Sequence, residues 1–172
     1  MLEQLNQWLS IQAVASFVNE YGWVWPVCEM LHYVGMSLLL GLIGLLDLRI
    51  LGLFKGIPVK AFDRFVPIGI AAFVINLITG FVFIAGTPDG PNFYLTNLSF
   101  QLKMGCILLA LINLVVFYYS GLHTRAAATP VGGDTPVGAK VAAVLSLLLW
   151  VLVIFFGRLL MYNDTLLLLL GM

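Results

Sequence analysis

Residues 28–49 read CEMLHYVGMSLLLGLIGLLDLR, an oily run that still carries Glu29, His32 and Asp47. A helix crosses a bilayer core with about 20 consecutive apolar residues. A charged side chain facing lipid within such a helix costs roughly 2.5–3.5 kcal/mol on insertion scales. If this stretch spans a membrane, its polar residues must therefore turn toward protein.

The rest of the chain supports a membrane reading. Of 172 residues, 62% are hydrophobic and 9% charged, against about 45–50% and 25% in soluble domains. Four windows are long and apolar enough to span: residues 23–46, 65–86, 103–122 and 141–162. Their short connections predict an all-α membrane protein, with four transmembrane helices in an up-down-up-down bundle. The expected division is an amphipathic interfacial helix over 1–20, a transmembrane domain over 21–163 and a short apolar tail over 164–172. The formal net charge is zero, so the total predicts no nucleic-acid partner.

Charge distribution predicts orientation. Arg49, Lys55, Lys60 and Arg64 lie at the first connection, with Arg125 and Lys140 beside the third; only Lys103 and Arg158 lie near the opposite side. The positive-inside rule then places the first and third loops in the cytoplasm, and both termini outside a bacterial inner membrane. No cleavable signal peptide is expected, because the first twenty residues lack a basic start and a continuous apolar stretch. Instead Leu2, Leu5, Leu9, Val14, Phe17 and Val18 recur near helical spacing. Trp8, Trp23 and Trp25 suit an interfacial aromatic belt. Packing of this helix on a partner subunit is the alternative. The loop TRAAATPVGGDTPVG, residues 124–138, reads as mobile from its small, Gly/Pro-rich composition.

Helical spacing sorts the polar residues into faces. Glu29 and Asp47 share an azimuth on the first window, with His32 about 60° away. On the third, Lys103, Cys106, Ala110, Asn113, Phe117 and Ser120 form one stripe; on the second, Asn76, Thr79 and Gly80 share a side. These faces are expected to turn inward together. Glu29, His32, Lys103 and Arg158 then gather in the outer half, while Asp47, Arg49 and His123 gather near the cytoplasmic side, with Arg49 reaching headgroups.

The outer group admits several chemistries. One is b-type haem: His32 supplies the imidazole for iron, Lys103 and Arg158 the cations for propionates, and Glu29 tunes the site. The sixth ligand stays open among a methionine, Lys103, water, nothing or a residue of another chain; His123, about 30 Å along the bundle from Lys103, is too far. A second is copper, since Cys28, His32, Met36, Met104 and Cys106 offer soft donors. In a third, Glu29, Lys103 and Arg158 simply neutralise one another, with His32 bonded to a neighbour such as Asn76.

The segments EMLHYVGMSLLLGLIGLLDLRILG, VPIGIAAFVINLITGFVFI, NLSFQLKMGCILLALIN and FFGRLLMY together resemble the CopD-like group of small bacterial membrane proteins. That group is similar in turn to the HemJ-type protoporphyrinogen oxidase, whose early-helix His and later-helix Lys fall on His32 and Lys103. The resemblance implies haem b at His32. The resulting expectation is a haem b protein that moves electrons near the outer leaflet, with a membrane or extracytoplasmic redox partner. Copper handling is one alternative. The other is a non-catalytic subunit or anchor for an extracytoplasmic partner; a homo-oligomer is a separate expectation.

Overall fold

A computed structural model describes residues 12–87, 91–162 and 167–168. Leu2, Leu5, Trp8 and Leu9 lie outside the described residues, as does most of the tail. Among the described residues the chain is helical, without strands: α1 (Gln12–Glu20), α2 (Val24–Leu51), a 3₁₀ segment (Val59–Phe65), α3 (Val66–Gly86), α4 (Asn92–Leu95), α5 (Leu98–Tyr119), α6 (Leu122–Ala127), α7 (Val137–Leu159) and a closing 3₁₀ turn (Leu160–Tyr162). Four of these segments are long and apolar enough to cross a membrane: Val24–Leu51, Val59–Gly86, Leu98–Tyr119 and Val137–Tyr162.

Local signals explain the helix ends. α2 stops at Gly52, whose φ of 108° is left-handed, and Leu53 N–H reaches back to the Leu48 carbonyl, a glycine-terminated cap. Pro67 occupies the first turn of α3, where its missing N–H costs nothing. Asn97 caps α5 by accepting from Phe100 N–H at 3.2 Å, and donates across the bundle to the Leu160 carbonyl at 3.0 Å.

The spans bury small residues and expose large apolar ones. Ala72, Ala110, Ala139, Ala142 and Ala143 are buried, whereas Ile78 is 60% exposed and Leu108 59%. An apolar exterior around a small-residue interior suits helices solvated by lipid. At Gly35 the approach is closest: an added Cβ would lie 2.7 Å from Asn76 Nδ2 and 3.1 Å from the Ala72 carbonyl.

The bundle is closed at one end and open at the other. α2 packs on α3 and on α7, and α5 packs on α7; the seam between α3 and α5 lacks such packing. The closed end holds a cluster of Ile50, Val59, Phe117, Ala126, Ala139, Ala142 and Ala143. This is the end where the basic connections lie.

Two expectations about this end need correction. The Gly/Pro-rich loop is fastened, not loose: Gly132 N–H bonds the Lys55 carbonyl at 2.9 Å. Thr135 bonds the Ile50 carbonyl at 2.5 Å, and Asp134 pairs with Lys55 at 3.0 Å and Lys140 at 3.3 Å. Arg49 does not reach for headgroups either. It is fully buried and donates from Nε to the Ile57 carbonyl at 2.5 Å, which ties the first connection under the end of α2. Its Nη1 and Nη2 have no partner among the described residues.

Toward the open end, α1 packs along α3. Val18 is buried there, filling the space where a side chain on Gly86 would sit. Trp25 stacks at a tilt on Phe83, with 5.2 Å between ring centroids, while Trp23 is 59% exposed.

Candidate functional site: a cleft between the spans

The unpacked seam leaves a cavity of about 200 Å³ at the open end. His32 and Met36 reach it from α2, Asn76 and Gly80 from α3, Lys103 and Met104 from α5, and Trp150 from α7. Phe73, Phe81 and Phe100 wall it with aromatic surface. Several of its residues also face the bilayer side: Leu77 is 52% exposed and Met104 44%. The cleft is therefore an apolar slot, entered from the side, with an imidazole and an ammonium in its wall.

His32 is oriented by a partner on α3. Its Nδ1 lies 2.7 Å from the hydroxyl of Thr79, which is itself buried. That hydroxyl lies 2.8 Å from the Ile75 carbonyl, to which it donates, as threonines in helices do. A hydroxyl has one proton, so toward the ring it presents a lone pair and Nδ1–H donates. Nε2 keeps its lone pair and has no hydrogen-bond partner among the described residues. An imidazole oriented through Nδ1–H with Nε2 free is the arrangement of a histidine ligand. Phe83 fixes the ring from the side, edge-on at 5.3 Å. The neighbour on α3 is thus Thr79, not Asn76, which donates to the Ala72 carbonyl at 2.9 Å.

Lys103 is half-buried, and no carboxylate of the described residues pairs with it. Its stem lies against Gly157 of α7, where an added Cβ would be 3.7 Å from Nζ and 3.8 Å from Cδ and Cε. The absent side chain at 157 gives the lysine its groove.

The other two predicted residues lie elsewhere. Glu29 is exposed and accepts from Trp25 Nε1–H at 3.2 Å. It lies near Tyr94, whose phenol is pushed up first by burial and then by the Glu29 charge. Arg158 is exposed, with its guanidinium 5.8 Å from the Tyr162 ring centroid. Neither lines the cleft, and neither pairs with Lys103 among the described residues. The structure brings His32 and Lys103 into one cavity and leaves Glu29 and Arg158 outside it, so the three charges do not neutralise one another there.

Neither cysteine lines the cleft: Cys28 is half-buried and Cys106 buried, both as free thiols. No group of three or more His, Cys, Asp and Glu residues gathers for a metal among the described residues. Soft donors do meet in the cavity, but as His32 with Met36 and Met104. At the closed end His123 lies on α6, with Nε2 2.8 Å from Asp63 Oδ1 and the ring stacked on Tyr118 at 4.5 Å.

Trp150 is a wall residue the sequence did not single out. Its signal is a stripe on the fourth span, with Ala139, Ala142, Ser146, Trp150, Val153 and Gly157 recurring every three or four residues. Phe73 and Phe81 carried none, because a phenylalanine in an apolar helix suits lipid and cavity equally.

No protein-family model matches the chain, and neither a curated protein nor a solved structure matches it.

Proposed function

We propose that the cleft is a cofactor site of a membrane redox protein, with haem b as the group it holds. What carries this reading is the Thr79–His32 pair, which leaves Nε2 bare in a lipid-entered cavity beside an unpaired ammonium. The donor chemistry fits haem b. His32 Nε2 would ligate the iron, and Lys103 would neutralise a propionate. Met104, which lines the same cavity, would offer a thioether as a further donor. The enclosed 200 Å³ is below the roughly 300–1,000 Å³ usual for ligand pockets, so the unpacked α3–α5 seam must supply the remaining room. When bound, the haem supplies one-electron chemistry. The chain supplies a fixed imidazole, a cation and aromatic walls that exclude water.

Purified protein made with ample haem is expected to show Soret and α-band changes between oxidised and reduced forms, lost in His32→Ala. A flat difference spectrum would refute haem.

Copper handling is the second reading, favoured by the meeting of His32, Met36 and Met104 in one cavity, a soft set that suits Cu(I). Metal analysis separates the two: stoichiometric copper that His32→Ala and Met104→Leu both remove would assign the site to copper.

The four apolar spans make this a multi-pass membrane protein. The clustering of Lys55, Lys60, Arg64, Arg125 and Lys140 at the closed end supports placing that end in the cytoplasm of a bacterial inner membrane. The cleft and both termini would then lie on the extracytoplasmic side, where a redox partner would dock. Reporter fusions at the C-terminus test this, and cytoplasmic activity there would reverse the orientation.

A further inference from the structure

A second, smaller cavity of about 60 Å³ lies toward the closed end. Three oxygen-bearing side chains line it, one from each of three spans: Asp47 of α2, Asn113 of α5 and Ser146 of α7. Asp47 is only 6% exposed, and its Oδ2 has no hydrogen-bond partner among the described residues. Asn113 spends its Nδ2 on the Ala142 carbonyl at 3.0 Å, so its amide oxygen is the atom left over. Ser146 adds a hydroxyl at the same wall.

Apart from the indole of Trp150, the polar groups of this cavity are oxygen-bearing, and one is a carboxyl group within the membrane. A buried carboxylate with an unpaired oxygen is among the costliest groups a bundle can hold. Arg49, two residues along, does not relieve it: the guanidinium is turned to the Ile57 carbonyl and forms no ion pair with Asp47. No other ionisable side chain from α2, α5 or α7 lines the cavity. A cavity needs about 10–15 Å³ to hold one water, so this one has room for a small ion with water to complete its shell.

We infer that this cavity is a binding site for one small monovalent cation, a sodium ion or a proton, held by Asp47 with Asn113 and Ser146 completing the shell. The inference is independent of what occupies the larger cleft. Trp150 lines both cavities, so the cation site and the cleft are separated by one indole. A charge gained at one is felt at the other through a thin, low-dielectric wall.

The test is thermal unfolding of the full-length protein in detergent, in sodium chloride against choline chloride at equal ionic strength, at pH 8 and pH 6. A sodium site predicts a Tm higher by about 2–4 °C in sodium at pH 8, abolished in Asp47→Asn and reduced in Ser146→Ala. A proton site predicts no sodium effect and a Tm that rises as pH falls in either salt, because a site occupied only in the fold stabilises it by mass action. Only the part of that rise removed by Asp47→Asn counts. If Asp47→Asn does not fold, the blunted response of Ser146→Ala decides. A wild-type protein indifferent to both ions, or a response that survives both substitutions, overturns the inference.

Discussion

The hydroxyl of Thr79 stands 2.7 Å from Nδ1 of His32 after giving its own proton to the backbone one turn earlier. One side chain on α3 thereby orients the imidazole that lines the cleft.

Thr79→Val keeps the shape and removes the acceptor, leaving Nδ1–H unpaired. Retention of the proposed haem is expected to fall about 10- to 100-fold, the usual cost of losing a histidine's orienting partner, with Thr79→Ser near wild type. The chain has two histidines, so ¹⁵N spectra of histidine-labelled protein report the same loss without any ligand. The His32 ring nitrogens should shift from one tautomer toward a mixture in Thr79→Val.

Lys103 and Arg158 are both cations near the open end, but only Lys103 lines the cleft. A charge-assisted hydrogen bond contributes about 1.5–3 kcal/mol. Lys103→Gln should therefore weaken binding of the proposed haem about 10- to 100-fold in an affinity titration. Arg158→Gln should leave it within about twofold. Equal losses in the two variants would mean that the group sits outside the cleft.

Two glycines with unlike surroundings make a paired stability test. Alanine at 35 drives a methyl against the Ala72 carbonyl at 3.1 Å, backbone that cannot move aside. Gly35→Ala should destabilise the protein by about 1–3 kcal/mol in unfolding assays. At Gly80 the nearest atom is His32 Cε1 at 3.8 Å, ordinary contact. Gly80→Ala should be neutral or stabilising by up to about 1 kcal/mol.

The fastening at the closed end carries its own pH dependence. Hydrogen bonds from Lys55 first, then Lys140, hold the Asp134 carboxyl below its ordinary value. A carboxyl lowered in the fold contributes above its unfolded pKa, about 3.9. The contribution is lost as pH falls through the lower, folded value. Amide exchange over residues 128–136 should therefore be flat between pH 7 and 5 and lose protection below about pH 4, with Asp134→Asn unprotected throughout. Salt should weaken the same protection, because the ion pairs are exposed.

Much of this architecture was readable from the residues. Four apolar windows of bilayer length dictated four spans, and the stripe on α5 turned Cys106, Ala110 and Phe117 inward as the cost of polar groups in lipid required. Azimuth says which way a side chain points but not whether another helix stands there. Glu29 and Asp47 share a face of α2, yet Asp47 is buried between spans and Glu29 is exposed at the open end. Arg158 misled for the same reason, since its depth matched Lys103 and its direction did not. The loop around Gly132 read as loose because its partners, Lys55 and Ile50, lie some eighty residues away and leave no local trace. Thr79 was visible as part of a stripe, but its acceptor role depends on a rotamer no spacing reveals.

The bundle that closes at one end and gapes at the other behaves as a pair of tongs. Its fulcrum is the clamp of Ile50, Thr135 and Asp134, and its jaws are α3 and α5. The unpacked seam lies away from that clamp, so the proposed haem would have its way in from the side, between α3 and α5, with the fastened end left as it is. On that proposal lateral pressure in the surrounding leaflet would govern loading, and a thicker or stiffer bilayer should slow uptake without changing the grip on a seated haem.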